Sequence, residues 1–218
     1  MIGVFLELTT KGEIMKNIIE FVERELSGDR SGHGLQHAMR VYNNALKINK
    51  IEKGNEKIIA TAALVHDTVD RKLFGNVEER LQYVREFLDS QDYSKDEIDE
   101  IIYIISNISW NNGKNVELNS LNAMIVRDAD RLDALGVMGI IRSIEYGNSH
   151  GDIFYEADNI TIKDGKYTFN KITTSVLSHF YEKLLLLKDN LHTETAKLMA
   201  EKRHDFLVKF LEEFYDEI

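Results

Sequence analysis

Not one of the 218 residues is proline, and glycine is confined to 13 positions. Proline removes a backbone donor and clashes with the preceding turn, so its absence lets helices run as far as the apolar spacing supports. That spacing follows the helical period at 12–27, 33–50, 55–68, 77–90, 95–109, about 119–146, 173–190 and 193–217. Within it, Ile14, Ile18, Phe21 and Val22, or Val41, Ala45 and Ile48, return to one face every three or four residues. Eight such segments predict a compact all-α bundle. Polar residues supply the punctuation: SGDRSGHG at 27–34 reads as a turn, and Ser94 and Glu97 stand in capping-box spacing. One stretch breaks the pattern. NITIKDGKYTFNK at 159–171 alternates on both sides of Asp164-Gly165, which predicts a small β-hairpin or lid.

With 43% apolar residues, the chain has material for one well-covered core. No internal repeat or Gly/Ser-rich linker divides it, so residues 1–218 read as a single domain. No apolar run approaches the ~18 residues of a membrane span, and MIGVFLELTTK lacks a basic leader, so a cytoplasmic protein is expected. Cysteine is absent, which excludes disulfides, thiolate nucleophiles and Cys-ligated metals and leaves His, Asp and Glu as the strong ligands. A formal net charge of −10 argues against a broad nucleic-acid surface, because such surfaces neutralise phosphates with clustered cations. A small anionic substrate remains compatible if cations gather locally. The amphipathic terminal helices offer a homodimer interface.

Within this helical frame, histidines and acids collect in three places: SGHGLQHAMRV with His33 and His37, ALVHDTVDRK with His66-Asp67, and RDADRLDALG at 127–136. His33 and His37 share one face if both are helical. HGLQH is not a zincin motif, since Gly34 stands where the water-activating Glu is needed. RDADRLD taken alone reads equally well as a charged solvent face. Asp67 and Asp130, however, are embedded in the apolar runs IIATAALVHD and LNAMIVRDAD, whose periodicity points them toward the core. Burying an unpaired carboxylate costs several kcal/mol, so such acids need a cation, a hydrogen-bond network or a metal. His66 and Asp67 project about 100° apart on a helix, so together they form one corner of a coordination shell. His33 from one helix and an acid from another would close it.

The order His33, then His66-Asp67, then Asp130 resembles the HD-domain metal-dependent phosphohydrolase superfamily. GHGLQHAMRV, ALVHDTVDRK, IISNISW, RDADRLDALGVMGIIR, HFYEKLLLLKD and AEKRHDFLVKFLEEF are similar to blocks of its bacterial and archaeal hydrolases, which include nucleotide pyrophosphohydrolases. The resemblance covers nearly the whole chain and implies a compact HD-domain helical bundle. It implies Asp130 as the fourth ligand, in an ADR-type segment, with Asp128 the competing candidate. It departs at Gly34, where many relatives carry an acid, and at Thr68, so a single divalent ion is expected. Two imidazoles favour Mn foremost, with Fe, Co, Ni or Zn more natural than Mg.

The resemblance further implies hydrolysis of a phosphate ester or anhydride, with a nucleoside triphosphate cleaved to monophosphate and pyrophosphate as the leading reaction. Asp70 is placed to orient or deprotonate water, and His37 to assist as an acid or base. Lys72, Arg131, Lys183 and Arg203 are the candidate cations for phosphate, and Trp110 offers a face for a base. Nucleoside monophosphatase, phosphodiesterase and a non-catalytic metal- or nucleotide-binding sensor are the alternatives.

Overall fold

The computed structural model describes residues 2–28, 34–110, 116–163, 166–169 and 173–218. For residues 2–11, 72, 158, 162, 163, 166, 167 and 169 it describes the backbone alone. Its centre is α3 (Glu56–Val65), whose residues from Ile58 to Val65 are all buried. EKIIATAALV is apolar on every face, as a helix surrounded by others must be. It is enclosed by α1 (Ile2–Glu25), α2 (Leu35–Glu52), α6 (Lys95–Asn107) and α7 (Leu121–Asp133). The Asn55 side chain starts α3 by accepting from the amides of Lys57 and Ile58, two donors that the first turn leaves unpaired. At its far end the chain tightens into a 3₁₀ turn, His66–Val69, and the Thr68 hydroxyl donates to the Val65 carbonyl at 2.7 Å. The continuous helix expected over 55–68 thus changes pitch at His66.

After a short α4 (Arg71–Phe74), which the apolar spacing does not anticipate, α5 (Val77–Asp89) leads to α6. The Ser94–Glu97 capping box at the head of α6 is formed in both directions. The long apolar segment 119–146 is two helices, α7 and α8 (Gly136–His150). They part at Gly136, whose φ of +69° only glycine adopts cheaply. A Cβ there would also lie 3.2 Å from that of Arg203. The segment 173–190 shortens to α9 (Val176–Glu182) followed by two 3₁₀ turns, and α10 (Glu194–Asp216) closes the bundle against α7 and α8.

The expected hairpin is present as β1 (Ile160–Lys163) antiparallel to β2 (Lys166–Phe169), with Ile160 opposite Phe169. Its Asp164-Gly165 turn lies outside the described residues, as do residues 29–33 of the SGDRSGHG turn. Among the described residues the architecture is all-α with this one two-stranded addition. Among the described residues, no helix is long and apolar enough to cross a membrane.

Candidate metal centre

Helix α2 starts at Leu35 with Gly34 as its cap residue, which puts His37 in the first turn and buries it to 2% exposure. Its partners come from the 3₁₀ turn after α3 and from the last turn of α7. His37 Nε2 lies 3.1 Å from His66 Nε2, 3.4 Å from an Asp67 oxygen and 3.4 Å from Asp130 Oδ1. His66 Nε2 lies 3.2 Å from Asp67 Oδ1 and 3.8 Å from Asp130 Oδ1. Four side chains from three helical segments therefore face one point. Asp130 is the most open of them, with 27% of its side chain exposed.

The outer nitrogens of both rings are committed. His66 Nδ1 donates to the Ala63 carbonyl at 2.9 Å, and a carbonyl only accepts. His37 Nδ1 donates to the buried Asp133 carboxylate at 2.7 Å. In their neutral forms both rings consequently turn Nε2 lone pairs inward, toward each other and toward two carboxylates. Asp67 Oδ2 is buried without a hydrogen-bond partner among the described residues. Facing lone pairs at 3.1 Å repel unless a proton or a cation lies between them. The donor set fits a divalent ion, with imidazole and carboxylate ligands whose second ring nitrogens are oriented from behind.

Asp133 gathers charge around this arrangement. Its oxygens accept from Arg40 Nε at 2.7 Å, Arg40 Nη2 at 3.0 Å and Arg142 Nη1 at 3.1 Å, in addition to His37. Burial alone would raise the Asp133 pKa, but hydrogen bonds from His37 and Arg40 and the charge of Arg142 bring it down to about 2. Burial likewise opposes ionisation of Asp130, and His37 with His66 reverses this, holding the carboxyl well below its ordinary range. For His37, burial lowers the pKa and the Asp67, Asp130 and Asp133 carboxylates raise it further than burial lowers it.

The segment RDADRLD divides its three acids among different tasks, as helical geometry requires. At about 100° per residue, Asp130 and Asp133 fall within about 60° of each other while Asp128 points away. Asp128 is fully buried and accepts from the His192 and Thr193 amides, His192 Nδ1 and the Thr193 hydroxyl at 2.7–3.0 Å. It pins the start of α10 to α7 and is not turned to the cluster.

Of the residues expected at the site, His66, Asp67 and Asp130 meet. His33 lies outside the described residues, and the described helix begins at Leu35. His37 is inside the donor cluster with both ring nitrogens engaged. Asp70 is half-buried and ends the 3₁₀ turn, its amide donating to the Asp67 carbonyl at 3.1 Å. The Lys72 side chain is not among those described.

Two expected phosphate ligands are structural. Arg131 is 4% exposed, donates to the Asn190 carbonyl and lies over the Trp110 ring at 5.5 Å; burial, then the neighbouring Arg127, lowers its pKa to about 10. This contact also occupies the Trp110 face expected to receive a base. Arg203 donates to the Leu132 carbonyl and to Asn44, tying α10 to α7 and α2. Lys183 lines a cavity of about 330 Å³ between α8 and α9, together with Arg142. Sequence reasoning missed Asp133, Arg40 and Arg142. The spacing of Asp133 from Asp130, and of Arg40 from His37, was the available signal, since residues three apart share a helix face.

Comparison with known proteins places this geometry in context. The family model described as HD domain matches residues 34–135. The uncharacterized protein YpgQ of Bacillus subtilis is 34% identical over 205 residues, covering 93% of each chain. The crystal structure of YpgQ in complex with ADP superposes with a TM-score of 0.76 at 30% identity, over 94% of this chain and 97% of that one. An HD-superfamily hydrolase from Bacillus thuringiensis gives a TM-score of 0.75 at 36% identity, over 95% and 97%.

Proposed function

This chain belongs to the HD-domain superfamily of hydrolases, and we propose that it is a divalent-metal-dependent phosphohydrolase that cleaves a nucleoside triphosphate to the monophosphate and pyrophosphate. The observation carrying this reading is the pair of inward Nε2 atoms, 3.1 Å apart and flanked by two carboxylates, a donor set that a divalent cation would satisfy. His37, His66, Asp67 and Asp130 are the proposed ligands, with His37 taking the place first assigned to His33. A divalent ion held there supplies charge to polarise a phosphoryl oxygen and to acidify a water near neutral pH.

The protein's own groups do the rest. Asp133 holds His37 in the tautomer that presents Nε2. Asp70, on the turn carrying His66 and Asp67, takes the proton of the attacking water. Lys72 serves the phosphates, and Lys183 binds the substrate from the wall of the cavity. The partially exposed Asp130 lies on the side from which a substrate approaches. A nucleotide is favoured as substrate because the related YpgQ was crystallised with ADP. Mn²⁺ is the proposed ion.

A metal-by-substrate matrix tests the proposal, with products separated by anion exchange and His66→Ala as the blank. Pyrophosphate release from a nucleoside triphosphate supports it. Orthophosphate release from monophosphates would reassign the enzyme as a monophosphatase, and turnover surviving in the blank would place the chemistry elsewhere.

A further inference from the structure

We propose that the cavity between α8 and α9 receives the nucleoside part of the substrate, an inference that rests on the nucleotide reading above. The four proposed metal ligands are absent from its walls, so it is a compartment separate from the donor cluster. Its volume of about 330 Å³ lies at the small end of the range for ligand sites and suits one nucleoside rather than a longer ligand.

The lining chemistry selects among small molecules. Asp152 and Glu182 stand on the wall, and a bare polyphosphate would be repelled by them. Hydroxyls of Thr174 and Ser175, with Arg142 and Lys183, make the space too polar for a hydrocarbon. A nucleoside matches both signs: sugar hydroxyls donate to carboxylates, and base acceptors take hydroxyl or cationic donors. Tyr146 adds an aromatic ring to the same wall, steadied by stacking on His150 with centroids 4.0 Å apart.

Placement connects the compartment to the chemistry. Arg142 lines the cavity and donates to Asp133, which in turn accepts from His37. Ala134, the residue after Asp133, is also on the wall. A single carboxylate therefore separates the cavity wall from a proposed metal ligand, which sets a nucleoside seated there next to the donor cluster.

Thr174 is exposed at the cavity and is neither a proposed metal ligand nor a proposed phosphate cation, so Thr174→Trp tests the idea by filling space. The full-length, Mn²⁺-loaded protein is assayed with the four nucleoside triphosphates and with inorganic tripolyphosphate, which has the same anhydride but no nucleoside. Occupation of the cavity predicts that the ratio of kcat/KM for the preferred nucleoside triphosphate to that for tripolyphosphate falls at least about tenfold. Glu182→Ala, a smaller exposed change, should move the ratio the same way by about threefold or more. An unchanged ratio in a folded variant overturns the proposal.

Equilibrium binding of ADP separates this inference from the reaction itself. Should the wild type hydrolyse nothing, ADP binding lost in Thr174→Trp or weakened in Glu182→Ala still supports the cavity while the hydrolase reading falls. ADP binding equal in wild type and both variants overturns the cavity assignment.

Discussion

Replacing Asp133 with alanine should weaken metal binding without touching a proposed ligand. The carboxylate accepts from His37 Nδ1 at 2.7 Å and thereby sets which nitrogen faces the cluster. Without it the ring gains access to the other tautomer, with a proton on Nε2 where a lone pair is required. Partners that orient a ligand from behind are worth about 10- to 100-fold in affinity, or about 1.4–2.7 kcal/mol. Stability should fall too. Removing one member of a buried ion pair costs about 3–5 kcal/mol. Here the Arg40 and Arg142 side chains keep 29% and 15% of their exposure, so water relieves part of the loss and about 2–3 kcal/mol is expected.

Calorimetric Mn²⁺ titration measures the first effect, and ¹⁵N spectra of the metal-free imidazoles report the tautomer directly. Asp133→Asn is the informative companion. Its amide oxygen still accepts from His37 when its NH₂ takes the Oδ1 position, where the bond from Arg40 Nε is lost, so the tautomer and much of the affinity return while the charge and that bond do not. Affinity within twofold of wild type in Asp133→Ala, with His37 still protonated on Nδ1, would refute the reasoning.

Three further outcomes follow from the same geometry. His66→Ala should abolish detectable Mn²⁺ binding by calorimetry and hydrolysis by product chromatography, since it removes one of the two proposed imidazole ligands. Asp128→Ala should do the reverse, leaving metal affinity near wild type while denaturant unfolding loses about 3–5 kcal/mol, because the His192 and Thr193 donors are left buried. Asp133 has a folded pKa of about 2, below its ordinary carboxylate value, so its stabilisation is complete above about pH 4 and is lost as pH falls toward 2. In the metal-free protein the unfolding free energy should consequently drop more between pH 4 and 2.5 in wild type than in Asp133→Asn, by about 1 kcal/mol.

Local pattern carried a large part of this protein. Absence of proline and a sustained helical period in the sequence specified an all-α chain, because both act within a few residues. The Ser94–Glu97 box and the 160–169 hairpin were legible for the same reason: each partner lies within about ten residues of the other. Apolar context also marked Asp67 and Asp130 as acids in need of compensation. The break at Gly136 was hidden by apolar spacing that continues across it, although the glycine itself was a signal.

Only the packed structure decided how the polar residues divide their labour. His37 entered the donor cluster only through packing, where the first turn of α2 sets it opposite His66. Asp128, Asp130 and Asp133 share one short segment, yet one pins α10, one enters the donor cluster and one aims His37, because each projects toward a different neighbour. Arg131 and Arg203 looked like phosphate ligands until carbonyls of residues 190 and 132 claimed them. Periodicity records which side of a helix faces inward, whereas a charged group's task depends on what stands opposite it, and here those partners come from as far as 159 positions away.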